Sequence, residues 1–270
     1  MNQALTEDVL RQLGIAPALD GSTPGLDDLR LIYAAWCAAV PFDNVLKMIH
    51  IAESRDGPLP GSTAEDFFGS WLEHGTGGTC WAGNGALHDL LAAVGFEVER
   101  AVATMLPSAT TISPNHGSVV VTIDGERWIA DASILSNDPI QITTPDERVM
   151  KDLPRLEWRD GKPNVIWRSL SAPQGFPCRF ERIDVGADEW DALHQRTAAG
   201  GPFNTALSAR VLRDSTPIGF TAGQRFAFDA DGALTGEARD REGRDRFLSE
   251  ELGLSGALVA RLPDDRPFDA

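Results

Sequence analysis

The first 95 residues repeat their apolar positions at the spacing of an α-helix. One stripe ends at Pro41, a second follows the Ser-Thr-Ala-Glu segment at 62–65, which has the composition of a capping box, and a third stops at Gly95. The apolar members of the three stripes are Leu26, Leu29, Ile32, Tyr33, Trp36, Cys37 and Val40; Phe67, Phe68, Trp71 and Leu72; and Leu87, Leu90, Leu91 and Val94. The pattern predicts a helical N-terminal part.

Beyond residue 95 the pattern changes to one typical of strands. Residues 96–105 form the first predicted strand, and further segments lie near Ile140, Val165 and Phe180. Between them, Asp124-Gly125 is the kind of residue pair that most strongly predicts a two-residue hairpin turn. The middle of the chain is therefore predicted to be mainly β.

The last part of the chain mixes both patterns. A helix is predicted at 187–198, strands near Ala209 and Arg225, a second hairpin at Asp231-Gly232 and a closing helix around 247–252. These changes of pattern predict three domains: a helical one over 1–95, a β one over 96–185 and a mixed one over 186–270. The segments 52–62 and 137–164 are predicted to be surface loops, and the charged stretch 237–245 a solvated one.

Composition and charge restrict the partners of this chain. With 270 residues, 42% of them hydrophobic, it can bury one large core or two to three smaller ones. A formal net charge of −16 argues against nucleic-acid binding and against an anionic membrane surface. No apolar run approaches the ~18 residues that suggest a membrane-spanning helix, and the first residues do not resemble a signal peptide.

Three widely spaced cysteines indicate neither a disulfide framework nor a zinc site, so we expect no metal and a reducing, cytoplasmic location. Cys37 lies on a helical apolar stripe, and Cys178 follows Pro177 near a predicted strand. Both are expected to be packed structural side chains, since free cysteine is among the most buried residue types.

Cys80 differs from the other two cysteines in its position. It follows Gly77-Gly78-Thr79 and precedes the helical stripe that ends at Gly95, so it is predicted to lie at a helix N-terminus. Unpaired N–H groups and the helix dipole stabilise a thiolate there, which lowers the pKa of a cysteine. Cys80 is therefore a candidate nucleophile.

The Asp124-Gly125 hairpin brings His116 and Asp131 together. With a two-residue turn, Ile123 faces Glu126, and Asp131 then faces Ser118 on the same side of the sheet as His116. Diagonal neighbours of this kind lie within reach of longer side chains. A carboxylate beside a histidine fixes its tautomer and stabilises its cation, so Cys80, His116 and Asp131 are predicted to form a catalytic triad.

These residues resemble the arylamine N-acetyltransferase family. That family pairs a Gly-Gly-x-Cys nucleophile with a histidine and an aspartate on two successive strands. Pro41-Phe42-Asp43-Asn44 is similar to its Pro-Phe-Glu-Asn segment, Asn84 also agrees, and residues 180–263 resemble its C-terminal third. The resemblance implies an α+β fold with an N-terminal helical bundle, a central antiparallel β-barrel domain and a C-terminal α/β lid.

The chain also departs from the family's pattern. Thr76, Thr79 and Ala82 stand where the family usually has an Arg, an aromatic residue and a Glu. The family also has a glycine-containing loop against the coenzyme A pyrophosphate, whereas residues 132–136 here contain no glycine, and larger side chains restrict such an approach. The resemblance makes Ser133, in that segment, and Phe203, a candidate pocket wall, the expected contacts of the acyl donor.

The resemblance implies an acyltransferase that forms a Cys80 acyl-enzyme from acetyl-CoA or another acyl thioester and passes the acyl group to a small-molecule amine. One alternative is an amide synthase that forms an amide or macrolactam from a polyketide thioester held on an acyl carrier protein, which the glycine-free segment suits. A thioester hydrolase is a further alternative. A catalytically inactive family member that only binds ligands is the last.

Overall fold

The computed structural model describes residues 1–16, 23–106, 112–143, 153–169, 172–228 and 233–266. The helices are α1 (Gln3–Gln12), α2 (Leu26–Ala39), α3 (Val45–Ala52), α4 (Ala64–His74), α5 (Cys80–Val94), α6 (Ala187–Arg196), α7 (Arg241–Arg246) and α8 (Gly256–Val259). The strands are β1 (Phe42–Asp43), β2 (Glu97–Met105), β3 (His116–Ile123), β4 (Glu126–Ile129), β5 (Ile140–Gln141), β6 (Arg155–Arg159), β7 (Lys162–Ser169), β8 (Ala172–Ile183), β9 (Ser208–Arg213), β10 (Thr216–Thr221), β11 (Gln224–Phe228) and β12 (Leu234–Ala238).

The ends of the N-terminal helices follow from their capping residues. The Thr63 hydroxyl accepts a hydrogen bond from the Asp66 N–H at 3.2 Å, so α4 begins one residue later than a capping box led by Ser62 would place it. Gly75 and Gly95 follow α4 and α5 with φ of 71° and 110°, the left-handed conformation that glycine adopts without strain. The predicted end of α5 at Gly95 is confirmed.

The central sheet has seven antiparallel strands in the order β5-β4-β3-β2-β8-β7-β6. Its two edge strands approach each other, so the sheet curves into a nearly closed barrel. Asp124 and Gly125 both have positive φ, as a type I′ turn requires, and Ile123 pairs with Glu126. The predicted hairpin and its register are confirmed.

A second sheet has five strands in the order β1-β9-β10-β11-β12. Its first strand comes from the N-terminal part of the chain: Phe42 pairs with Arg210. Beside it, the Asn44 side chain donates to the carbonyls of Phe203 and Ala206 at 2.9 and 2.8 Å and accepts from the Ser208 N–H. These bonds attach the segment after α2 to the C-terminal sheet. The Asp231-Gly232 turn lies outside the described residues.

Two segments predicted to be loops contain regular structure. Residues 137–164 include β5, β6 and the start of β7. The stretch 237–245 holds the end of β12 and most of α7, where Arg246 pairs with Glu242 one helical turn away. Most of the charges there lie on the solvent face of a helix, whereas Arg244 is buried.

The apolar core lies on both faces of β3. Val119 and Val121 pack with α2, α4 and α5, whereas Val120 packs with the barrel interior around Val165 and Phe180. A third cluster joins α3 to the C-terminal sheet and α8. The predicted fold class is confirmed: helices come first, then an antiparallel barrel, then a mixed part, while the three domain boundaries stay a prediction. Among the described residues, no helix combines the length and apolar character needed to cross a membrane.

Candidate active site

Cys80 is the first residue of α5, as the sequence predicts. The two glycines before it fit a tight space: a Cβ on Gly77 would lie 1.8 Å from the Pro41 carbonyl oxygen, so no larger residue fits there. The Gly78 carbonyl accepts a hydrogen bond from the Asp43 N–H at 3.2 Å. The Gly77-Gly78 segment is thus fixed against residues 41–43.

The carboxylate of Asp43 holds this segment in place. It accepts hydrogen bonds from the Gly77 N–H at 2.7 Å, the Thr76 hydroxyl at 3.0 Å and the Val45 N–H at 3.0 Å. Burial raises the pKa of Asp43, although these hydrogen bonds act in the opposite direction. Thr76, one of the departures from the family's pattern, therefore has a defined partner in this chain.

His116 and Asp131 meet beside Cys80. The His116 Nε2 and Asp131 Oδ2 atoms are 2.7 Å apart, which leaves Nδ1 as the ring nitrogen available to Cys80. The Cys80 sulfur interacts with the His116 ring and with the Gly117 backbone. Gly117 is required by close packing, because a Cβ there would lie 2.4 Å from Trp190 and 2.8 Å from Trp81. The three predicted residues are thus in one cluster.

Asp131 is held by several donors besides His116. Its Oδ1 accepts hydrogen bonds from the backbone N–H groups of Ser133 at 2.8 Å and Ile134 at 3.0 Å. The Asn84 amide donates to the same oxygen at 3.3 Å and to the Gly117 carbonyl at 2.7 Å, and its own oxygen accepts from the Ala132 N–H. Asn84, on α5, therefore joins the cysteine helix to both strands of the hairpin.

The single tyrosine of the chain secures the backbone around Asp131. The Tyr33 hydroxyl donates to the Asp131 carbonyl at 2.8 Å and accepts from the N–H groups of Asp131 and Ser136 at 3.2 and 3.1 Å. Tyr33 lies on α2 and is fully buried. In the sequence Tyr33 belongs to an apolar stripe, and the helical pattern alone does not reveal that its hydroxyl forms hydrogen bonds in addition to the packing of its ring.

The electrostatics of the cluster favour a thiolate and an imidazolium. Burial opposes ionisation of Cys80, but the hydrogen bond and charge of His116 outweigh it, so the pKa of Cys80 is lowered. Burial also opposes the His116 cation, yet the Asp131 charge and hydrogen bond raise the pKa of His116 to about 10. Desolvation disfavours the Asp131 carboxylate, but His116 lowers the pKa of Asp131 to about 2. Each charge is stabilised by the next.

Of the two predicted donor contacts, Ser133 is bonded to Arg210, and Phe203 contacts a ring that packs on the same arginine. The Ser133 carbonyl accepts a hydrogen bond from Arg210, while its buried hydroxyl has no partner among the described residues. Phe203 is half-buried and meets the Phe42 ring edge-on, with 5.5 Å between ring centroids. Phe42 in turn stacks on Arg210. Whether either residue contacts an acyl donor stays a prediction.

Two basic residues near the cluster were not singled out in the sequence. Lys47, on α3, is buried and donates to the Thr197 carbonyl and hydroxyl at 3.1 and 2.9 Å; burial lowers its pKa to about 8. Arg210 lies on β9 between aromatic rings. Both positions depend on contacts between distant segments. The one local signal available was a lysine in a helical segment that is apolar apart from Lys47 and His50. In the part of the chain that the structure describes, no group of three or more His, Cys, Asp or Glu side chains could hold a metal ion.

Comparison with known proteins agrees with this fold. A model of the N-acetyltransferase family matches residues 25–154, the part that contains Cys80, His116 and Asp131. The arylamine N-acetyltransferase of Mycolicibacterium smegmatis is 25% identical over 232 residues, which is 80% of each chain. The resemblance to the arylamine N-acetyltransferase family is confirmed.

Solved structures of arylamine N-acetyltransferases share the whole fold. The Mycobacterium marinum enzyme superposes with a TM-score of 0.78 at 20% identity, covering 95% of this chain and 97% of that one. The same enzyme in complex with CoA superposes with a TM-score of 0.76 at 18% identity, covering 94% and 96%. The likeness extends beyond residue 154 into the C-terminal sheet and helices.

Proposed function

We propose that this chain is a cysteine-dependent N-acyltransferase in which Cys80 carries the acyl group between a thioester and an amine. The observation that supports it most directly is the cluster at the start of α5, where Cys80 interacts with His116 and His116 lies 2.7 Å from Asp131. A thiolate activated by a positioned imidazole is the arrangement that acyl transfer through a covalent intermediate requires.

In the first half-reaction the Cys80 thiolate attacks the carbonyl carbon of the thioester. The C–S bond of the donor breaks, its thiol leaves with the proton of His116, and an acyl-cysteine remains. As the first helical residue, Cys80 has a backbone N–H with no partner inside the helix, and such groups stabilise the oxyanion of the tetrahedral intermediate.

In the second half-reaction an amine attacks the acyl-cysteine. His116, now neutral, accepts the proton of the amine, the amide forms and Cys80 leaves as thiolate. Asp131 keeps Nε2 of the ring occupied throughout, so Nδ1 faces the reacting atoms in both half-reactions. An acid and a base are thus supplied by one side chain.

Acetyl-CoA is the donor that the relatives suggest, since one of them is known as a complex with CoA. The segment after Asp131 offers a pyrophosphate few free N–H groups, because those of Ser133 and Ile134 donate to Asp131 and that of Ser136 donates to Tyr33. We therefore keep the amide-synthase alternative, in which the thioester is held on an acyl carrier protein. A small-molecule amine is the proposed acceptor in either case.

Intact-protein mass spectrometry after incubation with a panel of acyl-CoAs and acyl-pantetheines tests the proposal. The wild-type chain and Cys37→Ser, a matched change at a buried cysteine, are expected to gain the mass of one acyl group, and Cys80→Ser is expected to gain none. Addition of an aryl or alkyl amine should remove the adduct as the amide.

The adducts also separate the alternatives. An adduct from pantetheine thioesters alone supports the amide synthase, and loss of the adduct in water at the same rate as with amine supports a hydrolase. Absence of any adduct from either class of thioester would exclude acyl transfer through Cys80.

A further inference from the structure

Arg210 lies between two aromatic rings close to the candidate active site. Its guanidinium carbon is 4.7 Å from the centroid of the Phe42 ring and 4.5 Å from that of Trp167. Stacking of this kind fixes the plane of the guanidinium group and favours its charged form. Arg210 is therefore presented in one orientation.

Within the described part of the chain, this side chain uses little of its hydrogen-bonding capacity. A guanidinium has five N–H donors, and the described partner of Arg210 is the carbonyl of Ser133. Its Nε is buried without a hydrogen-bond partner among the described residues. Asp131 and Cys80 act on it through longer-range charge, without a hydrogen bond.

Arg210 is half-buried, and a partly buried cation with few partners is unusual, because withdrawing a charge from water costs free energy unless it is paired. Burial lowers the pKa of Arg210 to about 10, so the group still carries its positive charge at neutral pH. Among the described residues no carboxylate forms a hydrogen bond with it, and Asp131 acts on it through charge alone. Such a group is suited to pair with an anion supplied from outside the chain.

A cavity of about 170 Å³ opens onto Arg210. Cavities of ~150 Å³ accommodate a benzene molecule, so a small ring or a short alkyl chain with one polar end fits here. Apolar side chains make up much of the wall, among them Ile134, Leu135, Trp167, Leu212 and Pro217. Ile134 follows Asp131 by three residues, which places the cavity against the segment that holds the cluster.

We propose that Arg210 binds a carboxylate on the acyl group or on the amine, so that the chain selects acidic substrates over neutral ones of the same shape. This inference rests on the proposed acyltransferase function. A carboxylate needs only one partly free guanidinium edge, such as Arg210 offers. A pyrophosphate carries more charge than one stacked cation can neutralise, and it would also have to engage Arg168, the second arginine of the cavity wall, which lies over the Phe228 ring.

Matched substrate pairs test the inference. Succinyl-CoA is compared with butyryl-CoA as donor, and 4-aminobenzoate with 4-methylaniline as acceptor. In the wild-type chain we expect the acidic member of one pair to have the higher kcat/KM. In Arg210→Gln the ratio of acidic to neutral kcat/KM is expected to fall about 10- to 100-fold, the size of a charge-assisted hydrogen bond.

Two variants serve as controls. Arg213→Gln removes an exposed arginine on the same strand, which donates to the carbonyls of Ala38 and Glu251, and it is expected to keep the wild-type ratio. Arg210→Lys retains the charge without the planar fork, and it is expected to keep part of the preference. A folded Arg210→Lys with an intermediate ratio therefore supports the inference even if Arg210→Gln does not fold.

Calorimetric titration with 4-aminobenzoate, succinate and 4-methylaniline separates this inference from the proposed function. Tighter binding of a carboxylate that is lost in Arg210→Gln supports the anion site even if Cys80 forms no acyl-enzyme. Equal kcat/KM ratios in wild type and Arg210→Gln, with no carboxylate binding, would overturn it. So would an Arg210-dependent preference for CoA over pantetheine thioesters alone, since that preference would assign the charge to a phosphate.

Discussion

The two sides of the segment 131–134 differ in how their charges are paired. On one side, Asp131 accepts hydrogen bonds from His116, Asn84 and two backbone N–H groups, and Tyr33 engages the backbone of the same residue. On the other side, Arg210 contacts the Ser133 carbonyl and two aromatic faces, and its buried Nε has no partner among the described residues. The Asp131 carboxylate is buried and fully hydrogen-bonded, which makes its side the satisfied side. Arg210 is half-buried and keeps a donor without a partner among the described residues, which makes its side the unsatisfied side.

This difference distinguishes a site arranged for chemistry from a site arranged for a ligand. A catalytic group must keep one geometry through the reaction, so its partners are supplied by the chain itself. A group that recognises a substrate gains affinity and specificity when the substrate supplies the missing partner. Whether a charged group is paired within the chain thus distinguishes the proposed catalytic role of Asp131 from the proposed binding role of Arg210.

The largest effect is expected from removing the charge on the satisfied side. Asp131→Asn keeps an oxygen for the N–H groups of Ser133 and Ile134 but loses the charge that raises the pKa of His116. Amine acylation, measured as kcat/KM with a verified donor, is expected to fall about 100- to 10,000-fold. Asp124→Asn, in the turn of the same hairpin, is the control and should retain wild-type activity. Equal activity of the two variants would contradict the proposed role of Asp131.

The next effect concerns the reactivity of the three cysteines, all of which are buried. A lowered pKa keeps Cys80 ionised as the pH falls, whereas burial raises the pKa of Cys37 to about 12 and also raises that of Cys178. We expect iodoacetamide at pH 6 to label Cys80 alone, as followed by peptide mapping.

His116→Ala should slow that labelling about tenfold or more at pH 6, because the hydrogen bond that lowers the pKa is lost. Protein unfolded in urea serves as the control, and there the three cysteines should react alike. Labelling of Cys37 or Cys178 in the native chain at the rate of Cys80 would contradict the special environment of Cys80.

A smaller effect is expected on stability when the backbone support is removed. Tyr33→Phe leaves the Asp131 carbonyl and two N–H groups without their buried partner. The free energy of unfolding, from urea titration, should fall by about 1–3 kcal/mol. Ser136→Ala removes a less buried hydroxyl near the same tyrosine and should cost less. An unchanged midpoint in Tyr33→Phe would show that water replaces these bonds.

The smallest effect is expected on the unsatisfied side. Arg210→Met retains apolar volume between Phe42 and Trp167 while removing the positive charge. The variant loses the favourable contact of the guanidinium with the two rings, but it also loses the cost of holding a cation with few partners away from water. Because these two contributions oppose each other, the free energy of unfolding should change by less than about 1 kcal/mol. A loss near 3 kcal/mol would mean that Arg210 is mainly structural, and the contrast between the two sides would disappear.

Local rules predicted the geometry around His116 well. Two positive-φ residues in the Asp124-Gly125 turn set the register of the hairpin, and the register alone brings His116 toward Asp131. The position of Cys80 followed from the helical spacing up to Gly95. Each of these inferences spans fewer than about twenty residues, over which turn and helix preferences determine the structure.

Contacts between distant segments could not be derived in this way. Phe42 pairs with Arg210 across most of the chain, and no local pattern marks either residue. Asp43 was expected at most to turn the chain or to support the site, and its hydrogen bonds to Thr76 and Gly77 appear only in the folded structure. The stretch 237–245 was misassigned because charges that face solvent on a short helix have the composition of a loop.

The bonds of Asn44 have a consequence for the timing of synthesis. The Asn44 amide cannot form its hydrogen bond to the Ala206 carbonyl until a further 162 residues have been synthesised. A ribosome adds about 5–20 residues per second, so roughly 8–30 s pass before that partner is made. During this interval the strand Phe42–Asp43 has no partner strand from the C-terminal sheet, and its backbone edge on that side stays unpaired.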